Sequence, residues 1–146
     1  MRLRTSIVGR LVLAAVMPTL AVAAGLPLGC ATTQAMRTGV RVPASEATVK
    51  ATEGDNGNTR LTIRVKHLAQ PSKVAADATV YVVWIQPSNA KPQNVGALSL
   101  NDNLEGHLDT MTPHRRFLMI VTPEPSALVG HPTHEPVFTS KVERAK

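Results

Sequence analysis

Cys30 is the single thiol of this 146-residue chain, so it has no disulfide partner within the chain and is open to covalent modification instead. Five histidines are present. His131 and His134 share one stretch with Glu135, while His107 and His114 flank a segment containing Met111. Imidazole with thioether suits copper, and imidazole with carboxylate suits zinc. These four histidines are therefore the metal candidates, although their spacing matches no metal motif, and His131 and His134 stand beside prolines in a segment expected to be a solvated loop. Asp102, Glu105 and Asp109 gather around one turn, where a carboxylate pair would do acid and base work; around a turn such groups are ordinarily solvated. The chain has no Gly-x-Ser-x-Gly elbow, no His-Glu-x-x-His helix and no phosphate-cradling glycine loop. No catalytic residue, cofactor or small-molecule substrate is expected.

The setting of Cys30 is more specific than the thiol itself. Arg2, Arg4 and Arg10 precede an uncharged stretch from Leu11 to Leu28 rich in Leu, Ala and Val, the build of a secretory signal. Pro18 and Pro27 interrupt it and small residues gather at Ala21, Ala23, Ala24 and Gly25, which favours a cleaved leader over a permanent membrane helix. Leu28-Gly29-Cys30 resembles the lipobox of bacterial lipoproteins, in which the thiol after a small residue receives a diacylglycerol. That resemblance implies a cleaved signal over residues 1–29 and a membrane anchor at Cys30, in an envelope compartment facing the periplasm or exterior. Cleavage by ordinary signal peptidase after Ala23 is the alternative.

Charge excludes one class of partner. Sixteen basic and ten acidic side chains give a formal net charge of +6, but three of the arginines belong to the leader. From Cys30 onward the balance is 13 against 10, and no aromatics interleave with a basic stripe, so nucleic acid is not an expected partner. Arg115-Arg116 is the sole adjacent basic pair there, able to meet anionic headgroups or an acidic partner, or simply to be solvated at the start of a strand.

The elements that must position these residues read as strands. Residues 30–44 show no sustained period and are expected to form a flexible tether. Residues 45–146 read as one domain. Glu46 to Thr52 leads into Gly54-Asp55-Asn56-Gly57, where Asn-Gly supplies the positive φ of a hairpin turn. From Asn58 to Leu68, Leu61, Ile63 and Val65 alternate with Thr62, Arg64 and Lys66, giving one buried and one wet face. Thr79 to Ile85 and Arg116 to Thr122 are apolar on both faces, as in strands covered on both sides, with Trp84 as the expected core keystone and Pro123-Glu124-Pro125 ending the second run. Asn94 to Leu100, with Leu98 and Leu100 on one face, Gly106 to Thr112, with Leu108 inward, and Val137 to Val142, with Phe138 inward, complete the set. About seven antiparallel strands and no helix outside the leader point to an all-β, immunoglobulin-like sandwich of two sheets without its disulfide.

The series Tyr81-Val82-Val83-Trp84-Ile85, then Val95-Gly96-Ala97-Leu98, then Ile120-Val121-Thr122 with Glu124-Pro125, and Pro132-Thr133 before Pro136-Val137, resembles the C-terminal extracytoplasmic domain of the anti-sigma-K factor family over roughly Val80 to Ser140. The resemblance implies an extracytoplasmic β-sandwich module with a regulatory or sensory accessory role. Sigma-factor inhibition is not carried over, because the chain shows neither a helical sigma-binding region nor a zinc-binding His and Cys cluster. The expectation is an exported, lipid-anchored envelope protein whose domain is a non-catalytic binding or structural module, with an envelope protein as a partner. The regulatory domain and a periplasmic copper- or zinc-binding protein are the alternatives.

Overall fold

A computed structural model describes residues 31–145; the leader and Cys30 lie outside the described residues. Nine strands form one antiparallel sheet that curls round into a nearly closed barrel: β1 (Thr32–Ala35), β2 (Arg37–Thr38), β3 (Glu46–Glu53), β4 (Thr59–Lys66), β5 (Val80–Gln86), β6 (Gln93–Leu100), β7 (Gly106–Thr112), β8 (Arg116–Glu124) and β9 (Phe138–Glu143). A single helical turn, α1 (Pro71–Val74), interrupts them between β4 and β5. The strand order is β1-β3-β4-β7-β6-β5-β8-β9-β2.

The seven strands read from the sequence form, and two more precede them. The two halves of the sheet are continuous. They join at a corner where Ser99 and Leu100 pair with His107 and Gly106, and again through the N-terminal segment. Residues 31–44 are therefore not a tether: β1 pairs with β3 through Thr32↔Ala51 to Ala35↔Thr48, and β2 crosses to β9 through Arg37↔Thr139 and Thr38↔Phe138. Met36, between them, and Val42 are both buried in the main core. One strand, divided between two edges, closes the sheet and covers what would otherwise be unpaired backbone.

Alternation puts Leu61, Ile63 and Val65 of β4 inside with Val49 of β3, Tyr81, Val83 and Ile85 of β5, and Phe117 and Met119 of β8. The Tyr81 hydroxyl is satisfied by donating to the Ala69 carbonyl at 2.8 Å, and burial pushes its pKa up to about 12. Val82, Trp84 and Ile120 form a second cluster on the opposite face of the same strands, with Val80, Leu118 and Val129 packed against it. Trp84 is fully buried, yet it is the keystone of this outer cluster and not of the barrel interior. The segment following β8 lies over it.

Local chemistry sets the corners. Between β3 and β4, Asn56 (φ 56°) and Gly57 (φ 75°) both take left-handed backbone, inside a tight 3-10 turn closed by Gly54 N–H donating to Asn58 O at 2.8 Å. On β6, Val95 is an extra residue between Val83↔Gly96 and Trp84↔Asn94, and Gly96 sits at φ 134°, a bulge geometry that accommodates glycine. Pro123 does not end β8, which runs on to Glu124. Val121 O accepts from Val137 N–H, whereas Glu124 O accepts from Thr79 N–H. Backbone groups alternate sides along a strand, so the donor that Pro123 lacks would have faced β9, whose pairing has already stopped at Phe138.

Candidate functional site

The loops fall at two ends. At one, β3 turns into β4 at residues 54–58, β5 into β6 at 87–92, and β7 into β8 at 113–115, with the end of β9 beside them. Arg144 ties this end together. Its backbone N–H donates to Arg115 O at 2.9 Å, and its Nη2 donates to Gly57 O at 3.1 Å. Nη1 lies 3.0 Å from Glu53 Oε1, an ion pair by distance whose angle falls short of a hydrogen bond. The guanidinium is almost wholly buried, so β9 clasps the β3–β4 turn across the mouth of the barrel.

Arg115 and Arg116 stand exposed on this rim. Arg116 is paired twice with Glu143, by Nη2 at 2.6 Å and by Nε at 2.8 Å. Arg60 faces Asp55 at 3.6 Å. All three carboxylates of this end, Glu53, Asp55 and Glu143, thus already have a cation, while Arg115 and Lys91 have no carboxylate partner among the described residues.

The opposite end carries residues 39–45, 67–79, 101–105 and 125–137, and its balance is acidic: Asp77, Asp102, Glu105 and Glu135 against Arg41 and Lys73. Its centre is Glu124, which is fully buried. Glu124 Oε1 accepts from Thr122 Oγ1 at 2.6 Å and from Thr133 N–H at 3.0 Å, and Oε2 accepts from Thr133 Oγ1. Thr122 Oγ1 in turn accepts from Trp84 Nε1 at 2.8 Å. Burial raises the Glu124 pKa, but the hydrogen bonds from Thr122 and from the Thr133 side chain and backbone, with the nearby His134, outweigh it and hold the carboxyl below its ordinary value.

His134 extends the network outward, with Nδ1 3.8 Å from Glu124 Oε2 and Nε2 2.9 Å from Asp77 Oδ1. Asn94 adds two bonds from its Nδ2, to Ala127 O at 2.9 Å and Val129 O at 3.1 Å. Together these pins hold the 125–137 loop over Trp84. This is a latch by geometry: the carboxylate is saturated with donors and closed to solvent, so it has no open side toward a reactant.

The residues singled out from sequence are mostly not brought together. β7 carries His107 and His114 to opposite ends of the barrel. His107 Nε2 lies 3.1 Å from Asp109 Oδ2 on the outer face, where Asp109 also accepts from Thr62 Oγ1 at 2.6 Å; these two contacts, with Thr62 the larger, lower the Asp109 pKa. His131 is exposed while His134 is turned inward. Among the described residues no three His, Cys, Asp or Glu side chains gather as a metal site. The carboxylate trio is split, with Asp109 on the sheet face and Asp102 and Glu105 in the turn before β7. Glu105 instead lines a cleft of about 350 Å³ with Arg64, Lys66, Asn101 and His107. No described helix is long and apolar enough to cross a membrane.

Glu124 and Arg144 were missed in sequence. A carboxylate enclosed by prolines at the end of an apolar strand, with Thr two residues before it, is the signal that marks the first. Nothing local marks the second. Thr122 and Thr133, eleven residues apart in the chain, both bond Glu124. Comparison with protein-family models, curated proteins and solved structures finds no match to this chain. Fold and site together define an all-β domain with a polarised pair of ends.

Proposed function

We propose that this chain is an exported envelope protein, anchored by lipid on Cys30, whose domain binds or braces another envelope component and catalyses no reaction. The observation that carries the reading is the position of Cys30: it closes the basic and apolar leader, and the first strand begins at Thr32. The anchor and the fold are adjacent in the chain. The non-catalytic part is supported by the saturation of Glu124 with hydrogen-bond donors and by the dispersal of most of the histidines and carboxylates over both ends and the sheet face. Within the barrel, the halves β1-β3-β4-β7 and β6-β5-β8-β9-β2 are read as the two layers of an immunoglobulin-like sandwich, drawn together by the shared N-terminal strand. A partner meets apolar side chains that the loops leave exposed: Val40, at the end away from Cys30, and Leu128, where the 125–137 loop folds back over the outer sheet face beside Asn94, both more than nine-tenths exposed.

Membrane fractionation with fatty-acid labelling tests the anchor. Wild-type protein is expected in the membrane fraction and labelled, and Cys30→Ala soluble and unlabelled. An unlabelled wild type, or a Cys30→Ala protein that stays membrane-bound, defeats the proposal.

A further inference from the structure

We propose that the Arg115 end of the barrel rests directly on the bilayer and meets anionic phospholipid headgroups, so that the acidic end with its latched loop points away from the membrane. The inference rests on the lipid anchor proposed above and adds an orientation to it. Three observations carry it.

The first is chain length. Two residues span at most about 7 Å, so Cys30 lies within about that distance of Thr32, wherever the intervening chain runs. Thr32 pairs with Ala51, two residues short of the rim at Glu53. The anchor is thus tied to the end that carries Arg115, Arg116 and Lys91, with no slack to place the other end on the membrane.

The second is charge. At the near end the carboxylates are consumed by Arg60, Arg116 and Arg144, which leaves Arg115 and Lys91 unpaired among the described residues. At the far end the acids outnumber the bases. The longest strand has nine residues, roughly 30 Å along its own axis, and even with the tilt of barrel strands the two ends stand more than twice the screening length of about 8 Å apart at physiological salt. An anionic surface touching the basic rim therefore attracts it without repelling the acidic loops.

The third is effective concentration. Two unpaired cations are too few to recruit a free protein to a membrane. A domain already held by its anchor needs only to be oriented, and about 1 kcal/mol for each basic residue at an anionic surface, about five-fold per charge, is enough for that.

The only thiol makes the test direct. The chain from Cys30 onward, which contains every described strand, is coupled through that thiol to a maleimide phospholipid in vesicles of phosphatidylcholine alone or mixed with phosphatidylglycerol. Each arginine is then footprinted with a dicarbonyl reagent and mass spectrometry. Labelling of Arg115 and Arg116 is expected to slow at least about five-fold on the anionic vesicles, to recover in high salt, and to lose its lipid dependence at Arg116 in Lys91→Gln/Arg115→Gln. Arg41 at the far end and Arg64 on the sheet face keep their rates. Equal labelling of Arg115 on both vesicles overturns the proposal. So does protection that appears at Arg64, since the barrel then lies on its side. Because the anchor is supplied chemically, the result stands apart from whether cells lipidate Cys30, which the fractionation decides.

Discussion

Replacing Glu124 by Gln isolates the charge of the buried carboxylate from its shape. The amide keeps an oxygen where Oε1 accepts from Thr122 Oγ1 and Thr133 N–H, and puts an NH2 group where Oε2 accepts from Thr133 Oγ1. The bond to Thr133 Oγ1 survives only with its direction reversed, the amide donating to the hydroxyl, so a hydrogen bond to a charged acceptor worth about 1.5–3 kcal/mol becomes a neutral one, and two others weaken because their acceptor becomes neutral. Removing a charge from the interior offsets part of this, so the expected net cost is about 2 kcal/mol at about pH 7. For a domain of this size that corresponds to a fall of about 8 °C in Tm.

The effect has a defined pH dependence. The folded carboxyl titrates below its ordinary value, so between the folded and unfolded pKa values the unfolded chain binds more protons than the native one. The stabilisation is complete above the unfolded value of about 4.3 and is lost as pH falls through the folded value. Urea unfolding read from tryptophan emission suits the question, because Trp84 is the only tryptophan in the chain and its indole donates to the hydroxyl that bonds Glu124. The gap between wild type and Glu124→Gln should shrink toward zero in acid, where the wild-type group takes up a proton. A gap that is the same at about pH 3 and about pH 7, or one under about 0.5 kcal/mol throughout, would refute the assignment of the latch to a charged carboxylate.

Two further outcomes follow from the same packing. Gly96→Ala must hold an L side chain at φ 134°, and its Cβ would sit 3.1 Å from Leu108 Cδ1; a loss of about 1–3 kcal/mol is expected in denaturant unfolding, and an unchanged midpoint would remove the strain argument for the bulge. A chain begun at Ala44 lacks β1, β2, Met36 and Val42, two apolar side chains each worth about 1.5–3 kcal/mol when buried, and should be markedly less stable or unfolded by circular dichroism and proteolysis, whereas full stability would restore the flexible-tether reading.

The strands between Glu46 and Glu143 were legible because their cause is local. Leu61, Ile63 and Val65 alternate with polar residues, and that period alone sets which side of β4 is wet. In β5 the same reasoning stops halfway. Val82 and Trp84 are as apolar as Tyr81 and Val83, so the sequence says that both faces are covered without saying which is the barrel interior; the loop that covers Trp84 is fixed by contacts such as those from Asn94 to Ala127 and Val129, which no local pattern announces. β1 and β2 were not legible at all. Thr32 to Thr38 has no clear alternation, and its strand conformation comes from pairing with β3 and β9, the latter about a hundred residues away in the chain. Propensity is a weak guide where the partner strands decide. Glu124 was misread with Pro123 and Pro125 as a stop signal, because its partners Thr133 and His134 lie across a loop.

For a domain anchored at Cys30 as proposed, the N-terminal strand changes what kind of partner could be reached. A free tether of 14 residues would give a root-mean-square reach on the order of 20 Å, and the domain could then sample orientations and meet components well clear of the bilayer. With residues 32–38 built into the sheet, only the link from Cys30 to Thr32 is left. The domain's reach becomes its own length, at most that of its longest strand and the loops beyond it, and its far loops are carried at a fixed side. The latch at Glu124 matters in that setting, since it holds the 125–137 loop in one shape. A loop held by a buried carboxylate loses less conformational entropy on binding than a mobile one. The partner proposed above is therefore to be sought at the exposed apolar side chains, Leu128 on the anchored loop and Val40 on the loop between β2 and β3.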